Sequence, residues 1–213
     1  MDYIASLMPF MMEGTVITLK LFFLTLIMVL PLGVFMALAR LSKFRPLNGF
    51  TQFYIWVFRG TPLLLQLLFI YFGLGTLGIM IDRFAAALLA FILNYTAYLA
   101  EVYRSGIQSI DRGQFEAADV LGLNRWQTMT RIILPQMIKR VLPPISNEVI
   151  NLIKDTSLVY AIGISELLRV AKIAAVRDAI FVPFIVAAVF YLVMTAVIQQ
   201  TFKWLENRYA YYR

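Results

Sequence analysis

The chain has 213 residues, of which 61% are hydrophobic, and its formal net charge is +7. Soluble domains contain about 45–50% apolar residues, so this composition predicts an integral membrane protein. The chain has no cysteine and no histidine, which excludes disulfides, metal sites built on Cys or His, and Cys or His nucleophiles.

Five apolar segments approach or exceed the roughly 20 residues that a helix needs to cross the hydrocarbon core. In chain order they cover residues 15–39, 50–81, 84–103, 141–164 and 179–202. The second segment is too long for one straight span, and the stretch 59–62 interrupts it. We predict a helix from Pro62 to about Leu77, with Thr61 as its cap. Residues 50–58 then form either an interfacial helix or the lower half of a broken span.

The fourth segment is too polar to face lipid. Two prolines and three ionisable residues lie within it: Pro143, Pro144, Glu148, Lys154 and Asp155. Such a segment must be shielded by other helices, because ionisable groups are costly at membrane depth. We predict that it is broken near residues 154–157.

The distribution of basic residues predicts the orientation. They cluster after the first, third and fifth segments, as in residues 40–45 and 104–140. The positive-inside rule therefore places the N-terminus outside and the C-terminus in the cytoplasm. Arg169, Lys172 and Arg177 are exceptions, since they lie on the predicted outer side. We expect residues 1–213 to form a single all-α transmembrane domain with five spans.

The polar stretch 111–136, between the third and fourth segments, is predicted to form a compact cytoplasmic knob of two short helices. The first covers 115–121 and ends at Gly122 in a left-handed conformation. The second covers 126–134 and is stopped by Pro135.

This loop contains a fixed pattern: Glu-Ala-Ala, three residues, Gly, nine residues, Ile, one residue, Leu-Pro. Its members are Glu116, Ala117, Ala118, Gly122, Ile132, Leu134 and Pro135. The pattern resembles the loop motif of binding-protein-dependent ABC importer permeases. Residues 59–64 and 154–158 resemble stretches of the polar amino-acid branch of that family. The alternative from the residues alone is an amphipathic loop attracted to anionic lipid.

The resemblance implies a type I ABC importer permease in a bacterial inner membrane, crossing it several times. It implies two ATP-binding subunits docked on the loops, a second permease subunit, and an extracytoplasmic solute-binding protein that delivers an amino acid. A homodimer is the simplest arrangement. Since the chain has no Gly-Lys-Ser/Thr phosphate loop, we expect it not to be an enzyme. ATP and Mg would be bound by the partner, leaving this chain without cofactor or metal, and no nucleic acid is expected to bind.

Candidate substrate contacts follow from polar groups at membrane depth. Asp155, followed by Thr156 and Ser157, falls at the predicted break, where an acidic group suits an ammonium group or a cationic side chain. The alternative is an ion pair with Lys154 or an arginine that closes the break.

A second group of candidates, Asn94, Tyr98 and Glu101, forms a polar stripe at helical spacing on the third segment. We expect this stripe to line the pathway. The alternative for Glu101 is a local pair with Arg104.

The break in the second segment supplies two more polar residues. Thr61 either presents a helix N-terminus to a carboxylate or only caps the helix. Arg59 is interpreted as a snorkelling or structural charge.

If Asp155 and Glu101 both line the path, it is acidic and favours cationic amino acids such as arginine, lysine or histidine. Two rival hypotheses use the same pair of residues. One is a membrane-embedded enzyme in which the two carboxylates do acid–base work. The other is a passive channel.

Overall fold

The computed structural model describes residues 2–209, and within that range the chain is helical with no strand. The end residues of the predicted domain, 1 and 210–213, lie outside the described residues. The helices are α1 (Asp2–Arg40), α2 (Arg45–Gly60), α3 (Leu63–Leu68), α4 (Leu74–Thr76), α5 (Arg83–Gln108), α6 (Arg112–Val120), α7 (Arg125–Thr128), α8 (Leu134–Asp155), α9 (Leu167–Asp178) and α10 (Val182–Arg208). This confirms the all-α class.

Among residues 2–209, three helices are long and apolar enough to cross a membrane: α1 from Tyr3, α5 and α10. The pair formed by α2 and Leu63–Thr76 is also long and apolar enough if it is counted as one broken span, bent by 104°. The fourth predicted segment becomes α8 and a 3₁₀ turn over Thr156–Ile162, so the helix changes character at the predicted break. The number of five spans and the orientation stay predictions.

Helix α5 lies at the centre of the core. Its small residues Ala86, Ala87 and Ala90 and the ring of Phe91 are fully buried in a cluster that includes side chains of α1, α3 and α8. Small side chains let helices approach closely. A Cβ at Gly106 of α5 would lie only 2.2 Å from Cγ1 of Val141, which fixes the crossing of α5 with α8.

Helix α1 begins well before the first apolar segment because its N-terminal turns have their own partners. Leu7 and Met11 are buried against Leu167 and Ala171 of α9 and against α10. The Tyr3 hydroxyl donates a 2.6 Å hydrogen bond to Asp178, at the end of α9.

The predicted knob forms as two short helices that meet at a glycine corner. Helix α6 ends before Gly122, which has the predicted left-handed conformation with φ of 70°. The prediction that Pro135 stops the second helix is wrong. Helix α7 continues through a wider π turn, Met129–Ile133, into α8, where Pro135 occupies the first turn. A proline inside a helix removes one backbone hydrogen bond, and the π turn directly before Pro135 is where this continuous helix accommodates it.

Candidate functional site

The break between α2 and α3 is held by a hydrogen-bond network. The side-chain amides of Asn94 and Gln66 each donate a 3.0 Å bond to the Phe58 carbonyl, near the end of α2. Asn94 also donates to the Gln66 carbonyl oxygen at 3.0 Å. These bonds satisfy a backbone group that the helix break leaves without an intrahelical partner. They place the end of α2 beside the middle of α5.

Both alternatives for residues 50–58 stay predictions, since a bend of 104° between α2 and the next helices fits an interfacial helix as well as the lower half of a broken span. Ile55 of α2 packs against Ala97 and Ala100, which lie in the second half of α5. Helix α2 therefore runs along α5 up to Asn94 before the chain bends.

Thr61 does not cap α3, so that expectation is wrong. The helix begins at Leu63 without a side-chain cap, one residue later than predicted. The Thr61 hydroxyl instead donates to the carbonyl of Val57 at 2.8 Å and accepts from Gln66 at 2.8 Å. The Thr61 oxygen is engaged in the network that holds the break. It therefore does not accept a hydrogen bond from the first N–H groups of α3.

A cavity of about 460 Å³ opens beside this break. It is lined by Thr61, Pro62, Leu63, Leu64, Asn94, Tyr95, Tyr98, Glu148, Asn151, Asp155 and Leu158. Four of the predicted substrate residues, Thr61, Asn94, Tyr98 and Asp155, therefore face the same space. They come from three separate stretches of chain that only the fold brings together.

Two carboxylates lie in this cavity, Asp155 and Glu148, seven residues apart on α8. That spacing puts both on one face of the helix. The Tyr95 hydroxyl donates a 2.7 Å bond to Asp155 Oδ2. Within residues 2–209 neither carboxylate forms an ion pair. The pairing of Asp155 with Lys154 or an arginine is therefore absent from this part of the chain.

Three other predicted residues do not line this cavity. Glu101 lies two helical turns beyond Asn94 and bonds to Arg104, whose Nε donates at 2.9 Å. Thr156 is fully buried and donates to the Ile153 carbonyl. Ser157 faces a different cavity, between the 3₁₀ turn and α10. The Glu101–Asp155 pair of the enzyme and channel hypotheses is thus not assembled.

Tyr95, Glu148 and Asn151 line the cavity but were not predicted to bind substrate. A sequence signal was present for the two on α8, since Asn147, Glu148, Asn151 and Asp155 recur at three- and four-residue steps. This is the spacing of one helix face. Tyr95 had no such signal, because it is one aromatic residue among many.

The motif residues divide between the surface and the base of the knob. Glu116, Ala117 and Gly122 are exposed, whereas Ala118 is buried. Ile132, Leu134 and Pro135 are partly buried at the junction with α8.

The tip of the knob is apolar although it lies in a polar stretch of the chain. Val120, Leu121 and Trp126 are 88%, 74% and 75% exposed. A contiguous exposed apolar patch marks a surface for a partner or a membrane.

A helical membrane domain with a bent helix pair, a polar cavity beside the bend and an exposed apolar tip on its knob has the features of a transport subunit that works with a partner. Residues 29–211 match the family described as binding-protein-dependent transport system inner membrane component. The chain belongs to this family. It is the permease component of an amino-acid ABC importer, located in the inner membrane.

Curated relatives align along nearly the whole chain. The chain is 41% identical over 212 residues to a putative glutamine transport system permease, GlnP, of Rickettsia bellii, covering 97% of each chain. It is 40% identical over 212 residues to the arginine transport system permease ArtQ of Bacillus subtilis, covering 98% of this chain and 97% of the relative.

Solved structures show the same fold. A chain in the crystal structure of an amino acid ABC transporter with histidines superposes with a TM-score of 0.90 at 39% identity, covering 97% of each chain. A chain of the inward-facing MetNI methionine transporter gives a TM-score of 0.72 at 18% identity, covering 98% of each chain, and shows the fold alone. These matches confirm the type I ABC importer permease fold, and membership of the family implies ATP-binding and substrate-binding partners.

Proposed function

We propose that this chain forms the translocation pathway of an ATP-driven importer for cationic amino acids such as arginine, lysine or histidine. The observation that supports this proposal is the cavity that contains Asp155 and Glu148, neither of which forms an ion pair within the described residues. Carboxylates at membrane depth are costly unless they are paired. A cationic side chain or an ammonium group of the substrate supplies the missing charge.

The size and the remaining lining of the cavity suit an amino acid. Its volume of about 460 Å³ lies within the range of small-molecule sites. Asn94 and Gln66 hold the backbone of the break, and Leu63 and Leu64 line the cavity where α3 begins without a side-chain cap on its first N–H groups. Backbone N–H groups of this kind are suited to the substrate carboxylate. Asp155 and Glu148 then bind the opposite end of the substrate.

A second permease subunit is proposed to cover the polar face of α8. Asn147 and Asn151 are exposed on this face, next to Glu148. Such a face does not contact lipid, because polar groups at membrane depth turn toward protein or a water-filled cavity. A second copy of this chain presents the same face across a two-fold axis and closes the cavity.

ATP hydrolysis is proposed to occur in two ATP-binding subunits that dock on the knobs of the two permeases, so that this chain is not an enzyme and needs no cofactor of its own. The docking surface is the exposed tip formed by Leu121, Trp126 and Val120, with Glu116 beside it. Because α7 runs into α8 without a break in the helix, movement of the knob is transmitted to the helix that bears Glu148 and Asp155.

The binding protein is proposed to dock at a basic outer surface. Nη1 of Arg169 is buried and has no hydrogen-bond partner among residues 2–209. A Cβ at Gly163 would lie 2.9 Å from this atom and 3.0 Å from Nη1 of Arg83, so the two guanidinium groups are close neighbours. Two like charges at short range favour an anion between them. An acidic side chain of the binding protein meets this requirement, with Lys172 and Arg177 beside it.

The proposal is tested by uptake into proteoliposomes that contain the complete complex. We expect Asp155→Asn and Glu148→Gln to lower arginine uptake while glutamine uptake changes little, since only the cation needs the carboxylates. Glu206→Gln, near the cytoplasmic end of α10, is the matched control. Unchanged discrimination between arginine and glutamine in the double variant would overturn the cationic substrate class. Uptake without ATP would favour the passive channel.

A further inference from the structure

Arg59 lies between the candidate cavity and the cytoplasmic end of α5. It is in the last turn of α2, two residues before Thr61, and its side chain is exposed. The guanidinium group lies over the ring of Tyr98, 5.2 Å from the ring centroid. Tyr98 lines the cavity, so this contact places a fixed positive charge at the edge of the candidate substrate site.

The backbone at this point is anchored but the charged group is not. Asn94 and Gln66 hold the carbonyl of Phe58, the residue directly before Arg59. Within the described range the Arg59 side chain forms no ion pair, and its contact is with the face of an aromatic ring. A cation–π contact at an exposed site is weak compared with a buried ion pair. The side chain can therefore move while its anchoring point stays in place.

Charges of alternating sign follow one another along α5. Tyr95 contacts Asp155, Tyr98 contacts Arg59, and Glu101 is paired with Arg104. These three residues of α5 are separated by three positions each, about 4.5 Å of helix rise. Along α5, the contact of Arg59 therefore falls between those of Asp155 and Arg104. A cation that moves from the cavity toward the cytoplasmic end of α5 therefore meets Arg59 first.

We propose that Arg59 is an electrostatic gate on the cytoplasmic side of the substrate cavity. While its guanidinium group lies over Tyr98, it repels a cationic substrate held by Asp155 and Glu148 and prevents its passive escape. Release requires the side chain to leave the ring when the helices move. This role rests on the proposed cationic substrate, because a neutral amino acid is not repelled by the charge of Arg59.

The gate is tested by passive flux through the complex of permease and ATP-binding subunits in proteoliposomes without ATP. The variants are Arg59→Gln and Arg59→Met, which remove the charge, and Arg59→Lys, which keeps it. Arg45→Gln removes an exposed arginine at the other end of α2 and serves as the matched control. We expect both neutral variants to raise the flux of labelled arginine about tenfold or more, as low-dielectric charge repulsion implies. We expect no rise in arginine flux for Arg59→Lys or Arg45→Gln, and no change in glutamine flux for any variant.

Each alternative outcome has a separate meaning. If neither neutral variant raises the passive flux of arginine, Arg59 is not a gate. If arginine and glutamine leak equally, the substitutions have loosened the packing of α2 on α5, and the electrostatic gate is also overturned. The proposed substrate class fails in a different experiment, in which Asp155→Asn and Glu148→Gln leave arginine binding to the complex unchanged. The two failures are therefore distinguishable.

Discussion

The hydroxyl of Tyr95 donates a 2.7 Å hydrogen bond to Oδ2 of Asp155, which joins the centre of α5 to the last residue of α8. The bond occupies one oxygen of the carboxylate at the wall of the cavity that both residues line. It also ties the point where α8 changes to a 3₁₀ turn to the most buried helix of the domain.

Tyr95→Phe should weaken arginine binding by releasing Asp155. Hydrogen bonds to charged groups contribute about 1.5 kcal/mol or more, and that loss corresponds to about tenfold in affinity. The measurement is the arginine concentration that gives half-maximal uptake. Tyr103→Phe, on the same helix and also largely buried, is the control and should change little. Equal effects of the two substitutions would contradict a specific role for the Tyr95 hydroxyl.

Gly122→Asp should uncouple the transporter from its ATP-binding subunit. Gly122 has φ of 70°, a conformation that costs residues with a side chain about 1 kcal/mol or more. The corner that presents Leu121 and Trp126 will therefore shift. The measurement is co-purification of the ATP-binding subunit, which we expect to fall while the permease stays folded.

Gly49→Ala is the control for this experiment. Gly49 lies inside α2, and a Cβ there would meet no atom within 4 Å. Intact co-purification and intact ATP-dependent uptake in Gly122→Asp would show that the knob conformation is not needed for coupling.

Gly106→Ala should destabilise the domain at the crossing of α5 and α8. The new Cβ would lie 2.2 Å from Cγ1 of Val141, and overpacking of this kind costs about 1–3 kcal/mol. The measurement is the thermal unfolding midpoint in detergent. Adding Val141→Ala removes the clashing methyl group and should restore part of the loss. If the double variant lost more stability than the two single substitutions lose together, the contact between residues 106 and 141 would be contradicted.

The contact of α1 with α9 should weaken in acid. Arg177 and the Tyr3 hydroxyl hold the pKa of Asp178 at about 2, below its ordinary value of 3.8. A depressed carboxyl pKa contributes stability that is present above the unfolded-state pKa and is lost as the pH falls from about 4 toward 2. The unfolding midpoint measured across that range should fall more steeply in the native chain than in Asp178→Asn. Parallel pH curves would show that the ion pair does not contribute.

Much of the candidate site was predictable because its signals are local. The Gly122 corner, the break near residue 155 and the exposure of Glu116 follow from residues close together in sequence. The bond between Glu101 and Arg104 is also local, since the residues are three positions apart on one helix. It was recognised as an alternative, and the structure contains it.

The two errors in local structure concern residues whose local preferences were overridden. Thr61 has a suitable side chain for a cap, but its hydroxyl bonds to Val57 and Gln66 instead. Pro135 has a strong tendency to end a helix, yet it directly follows the π turn Met129–Ile133, which accommodates it in a continuous helix. The hydrogen-bond network at the helix break decided the first case, and the π turn decided the second.

The amino-acid sequence by itself determined that this chain is a helical membrane protein with a partner-docking loop, because apolar length and a fixed motif are properties of contiguous residues. Only the tertiary structure decided which carboxylates share a cavity. Asp155 and Glu148 face Thr61 and Asn94 because α8 packs against α5 beside the break that follows α2. Contacts between elements so far apart in the chain depend on packing, which no local pattern specifies.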